Sequence, residues 1–173
     1  MSERVVNIRD LGRVGTWPPD IRRIDRRSPY GNPFRIADMM WPAVAFGHRN
    51  NDAGRRAAAV ELYRAWITGS PIVIDEPYVE EGGSLEYADG TVAAVSRVIS
   101  GLAWTMARPI IAAALRGAER PDLAPLHGMR LACWCAPLPC HGDVIVDLSI
   151  EAVALLDLDP TRGLWPASVE MVE

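Results

Sequence analysis

Apolar side chains gather along this chain into a few patterned runs, separated by stretches with no period. Residues 4–8, RVVNI, form a short β-branched run that predicts a buried first strand. Residues 9–41 carry no repeating pattern and are rich in Pro, Gly and Arg. A structureless stretch of that length is uncommon in a compact domain and is usually functional or disordered. Trp17, Tyr30, Phe34 and Trp41 supply enough ring surface to predict packing here. Over Asp52–Thr68 the period changes: Ala59, Leu62, Tyr63, Trp66 and Ile67 recur at three- and four-residue spacing and predict one apolar helix face. Asp52 is the expected N-cap, and Arg55, Arg56 and Arg64 lie mostly off that face.

The second half alternates in the same way. PIVID, residues 71–75, predicts a strand; residues 76–90 are acidic, with turn signals at Gly82-Gly83 and Asp89-Gly90, and with their flanks predict a hairpin arm. Residues 91–116 are apolar and helix-compatible, with a break expected at Pro109. Residues 120–128 read as a linker, MRLACWC at 129–135 as a strand, and residues 144–156 as a helix opened by Gly142 and Asp143. The tail beyond Asp157 has no pattern, and the chain has no internal repeat. This order predicts one α/β domain over residues 1–173, with a Rossmann-like, mostly parallel sheet flanked by helices. Ligands of such sheets sit beyond the carboxyl ends of the strands, which is where CWCAPLPCHGD falls.

Composition adds little to this, but charge distribution does. The net charge of −4 does not suggest a general nucleic-acid binder. All 18 basic residues are arginine; residues 1–65 hold twelve of them against seven acids, and residues 66–173 hold six against fifteen. Guanidinium concentrated in one half suits phosphate or carboxylate, which Arg grips bidentately. No apolar run is long enough to span a membrane, and the first residues carry no apolar signal core. Three cysteines within eight positions do not resemble a secreted disulfide framework, so the expected compartment is the reducing cytoplasm.

The candidate chemistry lies in Cys133 to Asp143. In a continuous strand Cys133 and Cys135 share a face, with Trp134 on the other. Their Cβ atoms would stand about 6.6 Å apart, too far for a disulfide yet compatible with thiolates converging on one metal or ligand. Cys140, His141, Gly142 and Asp143 sit at a helix mouth, where free N–H groups favour an anion and lower a thiol pKa. In one reading Cys140 is a nucleophile, His141 its base, and Asp143 orients His141 or caps the helix. In a second, Cys133, Cys135, Cys140 and His141 bind zinc, although C-x-C-x4-C-H differs from standard finger spacings. In a third, the cysteines are small buried hydrophobes and Asp143 is only a cap.

A second segment, RRIDRRSPYGNPF at residues 22–34, is punctuated by Ser28-Pro29 and Gly31-Asn32-Pro33 into a shaped turn. Arg26, Arg27 and Ser28 offer donors to an anion, while Tyr30 and Phe34 offer ring faces that can stack on a base. Asn32 and Gly142 complete the expected ligand-binding set. The plainer alternative is a solvated basic loop with Tyr30 and Phe34 in the core.

VVNIRD, RRSPYGNPF, YRAWI and RLACWCAPLPCHGDVI, in that order, resemble DUF4326, a family of bacterial and phage proteins of unknown function. Against the compact pattern of that family, residues 68–116 look like an inserted arm. The layout of strand, Cys loop, Cys-His and helix is also similar to the DUF488 family and, loosely, to Rossmann-type nucleotide-binding proteins, which implies nucleotide ligands by analogy of fold alone. The leading expectation is therefore a protein that binds and processes a phosphorylated nucleotide, nucleoside or related anionic metabolite. The alternative is a zinc-stapled, non-enzymatic module that binds nucleic acid or a protein partner. A structural or interaction protein using the acidic arm at residues 76–90 is a third.

Overall fold

The computed structural model describes residues 4–70, 84–86, 92–94 and 97–158. The predicted strand at 71–75 and the tail from residue 159 lie outside the described residues. By internal contacts the chain divides into two compact units.

The first unit comprises residues 1–32, 63–71 and 119–173. It holds β1 (Val5–Asn7), β2 (Ile21–Arg23), β5 (Arg130–Cys133) and α4 (His141–Leu158). The three strands form one parallel sheet in the order β1-β5-β2, with Val6 opposite Ala132 and Arg23 also opposite Ala132. The last strand is thus central, as the α/β reading requires, and it is the strand that leads into the Cys loop. Its edges are tied at the entry end: Arg130 pairs with Asp20 at 2.7 Å, and the Arg4 guanidinium donates to the Met129 carbonyl. Ile8, Ile21 and Ala132 pack with Val6, Leu11 and Trp17, so the ring expected to pack does so.

The sequence did not announce β2. It is three residues long, two of them arginine, and lies within the stretch read as irregular. It exists because β5 offers it a ladder, and strand character this short comes from pairing rather than propensity.

The second unit comprises residues 33–62 and 72–118. It holds α1 (Met40–Ala45), most of α2 (Asp52–Thr68), the antiparallel pair β3 (Ser84–Glu86) and β4 (Val92–Ala94), and α3 (Arg97–Leu115). The hairpin falls on either side of the Asp89-Gly90 signal, as expected. Two expectations need correction. The cap of α2 is Asn51, whose Oδ1 accepts from the Gly54 N–H at 2.8 Å, and not Asp52. Pro109 lies inside α3 without ending it. Pro109 and Thr105, the residue four positions earlier, are both exposed, so the ring of the proline sits on the solvent side of the helix. The stripe Ala103, Ala107 and Ile111 stays buried through the break point.

Gly54 is required by close approach. A Cβ added there would stand 2.0 Å from the Arg49 carbonyl oxygen, which is backbone and cannot swing aside. Gly54→Ala is expected to lower the unfolding free energy by about 2 kcal/mol or more, read from denaturant midpoints. An unchanged midpoint would mean that the turn before α2 yields freely.

Among the described residues, no helix is long and apolar enough to cross a membrane.

Candidate functional site

Strand β5 ends at Cys133 and helix α4 begins at His141, so residues 134–140 must turn the chain from one into the other. Pro137 and Pro139 stiffen that return, and the Ala136–Pro137 peptide is cis. The Leu138 N–H donates to the Cys135 carbonyl at 3.0 Å, and the Asn7 side-chain amide donates to the Ala136 carbonyl. The loop brings the sulfurs of Cys133, Cys135 and Cys140 within 4.8 Å of one another. The strand stops at Cys133, and Cys135 lies on the bend that follows. Cys133 and Cys140 are buried and Cys135 is partly exposed. These three thiols can hold a metal ion.

Their electrostatics oppose ionisation of the bare thiols. Cys133 is pushed up to about 11, first by its hydrogen bond with Cys135. Cys140 is raised well beyond the ordinary thiol range by its hydrogen bonds with Cys133 and Cys135, and then by burial. The helix-end effect expected from sequence is present, since the Gly142 N–H donates to the Cys140 sulfur at 3.4 Å and lowers its pKa. Crowding with two other thiols and burial outweigh it, so the net direction is opposite to that expectation.

His141 is 5% exposed and held in one tautomer. Its Nε2 lies 2.8 Å from the Ile24 carbonyl, which only accepts, so Nε2 carries the proton and donates it there. Nδ1 is left with its lone pair, 3.6 Å from the Cys140 sulfur. Burial lowers the pKa of this imidazole and favours its neutral form. The Tyr63 ring meets it edge-on at 4.9 Å.

Asp143 caps the helix. Cys140 is the N-cap, and the Asp143 carboxylate accepts from the Cys140 N–H at 3.2 Å, the reciprocal half of a capping box. Two N–H groups expected to meet an anion at this helix mouth thus already donate to Asp143 and to the Cys140 sulfur. Gly142 is buried: an added Cβ would stand 2.8 Å from Ile24 Cδ1 and 3.0 Å from a Val5 methyl. Its missing side chain lets α4 approach β1.

The arginine loop lies in the same unit and is stitched to the Cys loop. Ile24 donates its N–H to Ala132 and accepts from His141, so one residue ties β5 to α4. Asp25 organises the turn. Its carboxylate takes a bidentate pair from Arg23 at 2.6 Å, the Arg27 N–H at 3.1 Å and the Trp134 indole N–H at 2.9 Å. Arg23 foremost holds its pKa below the usual carboxylate range. Ser28 donates both its N–H and its hydroxyl to the Asp25 carbonyl, which commits that hydroxyl to the turn. Arg26 and Arg27 are exposed, and Arg26 Nε donates to the Asn32 carbonyl at 3.2 Å. Asn32 is buried, and the Tyr30 carbonyl accepts from the Tyr63 hydroxyl at 3.1 Å. A Cβ at Gly31 would meet Arg26 Cα at 2.6 Å, which accounts for the glycine in GNPF.

Sequence reading singled out the cysteines and arginines but missed Ile24, Asp25 and Trp134. One signal was available: Asp25 is the lone acid within RRIDRR, and an acid there is placed to gather donors.

Comparison with known proteins bears on lineage alone. A curated relative, "Uncharacterized 12.4 kDa protein in nrdA-td intergenic region" of Enterobacteria phage T4, is 62% identical over 29 residues, which are 17% of this chain and 27% of that protein. The chain therefore spans about a quarter of that relative's length. No solved structure matches. The model of the family described as a domain of unknown function, DUF4326, matches residues 6–151, from the first strand through the Cys loop and most of α4, and the chain belongs to that family.

Proposed function

We propose that Cys133, Cys135 and Cys140 bind one zinc ion, with His141 Nδ1 as fourth ligand. The protein is then a zinc-stapled binding module rather than a thiol enzyme. The observation that carries this is the convergence of three sulfurs within 4.8 Å beside an imidazole whose other nitrogen is already bonded to a carbonyl. In a tetrahedral site, bond lengths near 2.3 Å to sulfur and 2.0 Å to nitrogen put ligand atoms about 3.5–3.8 Å apart. The Cys140–His141 separation of 3.6 Å fits that range. A backbone carbonyl behind a ligating imidazole is the usual way its tautomer is set. The position suits the Rossmann-like reading of the sheet, in which the loop beyond the central strand is the working end. Zinc there fixes the loop between β5 and α4 and holds it beside the arginine turn.

Elemental analysis of the full chain, with thiol titration on the same sample, tests this. About one zinc per chain, with the thiols unreactive until a chelator is added, is the expected result. Protein without metal, in which one thiol reacts fast at neutral pH, would overturn it.

A catalytic reading of the same loop rests on one observation, the 3.6 Å between the Cys140 sulfur and an unprotonated His141 Nδ1. There His141 takes the Cys140 thiol proton, the thiolate displaces a leaving group from a nucleotide-like anion, and His141 returns the proton to that departing group. It needs a thiol that ionises readily and an open helix mouth. The raised Cys140 pKa and the Asp143 cap weigh against both. Protection of one fast thiol by nucleotides would favour it.

A further inference from the structure

Trp134 is 51% exposed, and so is Leu138 on the same short loop. A tryptophan half in water forgoes much of its burial energy unless something covers it. This one does not move freely. Its indole N–H is fixed by the Asp25 carboxylate, which is itself buried and anchored by Arg23 and by the Arg27 N–H. The Arg9 guanidinium lies over the ring at 5.9 Å from its centroid. The Arg27 side chain is exposed, and its own N–H shares the Asp25 carboxylate with the indole. Across residues 4–32 there are seven arginines against three aspartates, and two of those aspartates, Asp20 and Asp25, are already paired with Arg130 and Arg23. A ring held in fixed orientation and flanked by guanidinium matches one chemical unit, a planar base carrying a phosphate.

We propose that Trp134 is the stacking platform of a single-stranded nucleic-acid site, in which a base displaces Arg9 from the ring face and Arg9 and Arg27 turn to the phosphates. A single strand is favoured over a free nucleotide by the openness of the platform. Small-ligand sites enclose most of their ligand, whereas single strands are held on exposed aromatic faces along basic tracks. The whole chain is acidic, so the attraction is local and salt-sensitive. The proposal rests on the zinc-stapled reading only for the rigidity of the loop.

The test is fluorescence anisotropy of a labelled oligothymidylate of about ten nucleotides, titrated with the full chain at low and physiological salt. Zinc content is measured on every sample. Binding that weakens with salt is expected, with about a tenfold loss in Trp134→Ala, partial retention in Trp134→Phe, and a salt slope smaller by about one in Arg27→Ala. Unchanged affinity in zinc-loaded Trp134→Ala, or no binding by the zinc-loaded parent at low salt, would overturn the platform. A mononucleotide competing as well as the oligomer would overturn the single-strand assignment in favour of a nucleotide. Oligothymidylate binding by a parent that carries no zinc would overturn the metal reading and leave the platform standing.

Discussion

Cys140→Ala is expected to lose its metal and to melt about ten degrees below the parent. If free zinc exceeds its dissociation constant a thousandfold, the bound ion contributes about 4 kcal/mol to folding, and each kcal/mol shifts the melting point of a chain this size by about 2–4 °C. Cys140 is the most consequential of the three thiols because it serves twice. It offers its sulfur to the cluster, and it caps α4, where its sulfur accepts the Gly142 N–H. Chelator added to the parent should reproduce most of the shift, and chelator added to the variant should do nothing. That pair of results separates metal binding from cavity effects, since a lost methylene-sized group alone costs only about 1 kcal/mol. A parent whose melting point ignores chelator would leave the cluster as three packed thiols.

Tyr63→Ala is expected to be the most destabilising single truncation away from the cysteines, by about 3–5 kcal/mol. Tyr63 is fully buried, and its ring meets Trp66 at 5.6 Å and His141 at 4.9 Å. Its hydroxyl reaches the Tyr30 carbonyl, so it joins the arginine turn to the imidazole side of the Cys loop. Burial raises its pKa, which keeps the hydroxyl protonated and donating. Tyr63→Phe retains the ring and loses only that hydrogen bond, about 1 kcal/mol, and should keep its zinc. Equilibrium unfolding in urea measures both. A Tyr63→Ala variant within about 1 kcal/mol of the parent would show that the site collapses around the gap, contrary to the tight packing inferred here.

The proposed zinc site and the proposed platform share one loop. Trp134 lies between two of the three cysteines in sequence, so a metal on its neighbours would restrain the backbone on both sides of the indole. Asp25 restrains the indole from the other strand end. Residues that on sequence looked like two separate signals, a thiol loop and an arginine loop, meet at Ile24 and Asp25.

What the sequence determined by itself is what local pattern encodes. Helix α2 was legible because Ala59, Leu62, Tyr63, Trp66 and Ile67 recur at helical spacing, and β1 and β5 were legible as β-branched and apolar runs. The loop where the three sulfurs meet was legible because three cysteines and a histidine crowd into nine positions. Tertiary structure alone decided the rest. Strand β2 is made by its pairing with β5, and Pro109 is tolerated because it lies on the exposed side of α3 while the buried stripe continues past it. The thiol pKa values run opposite to the helix-end expectation because sequence spacing shows the helix mouth but not the two other sulfurs folded against it. Asp143 could be read as a partner of His141 until the fold gave that histidine the Ile24 carbonyl, 117 positions away in the chain, and left the carboxylate to cap its own helix. Contacts of that separation have no local signature, because they depend on which strand lies beside which.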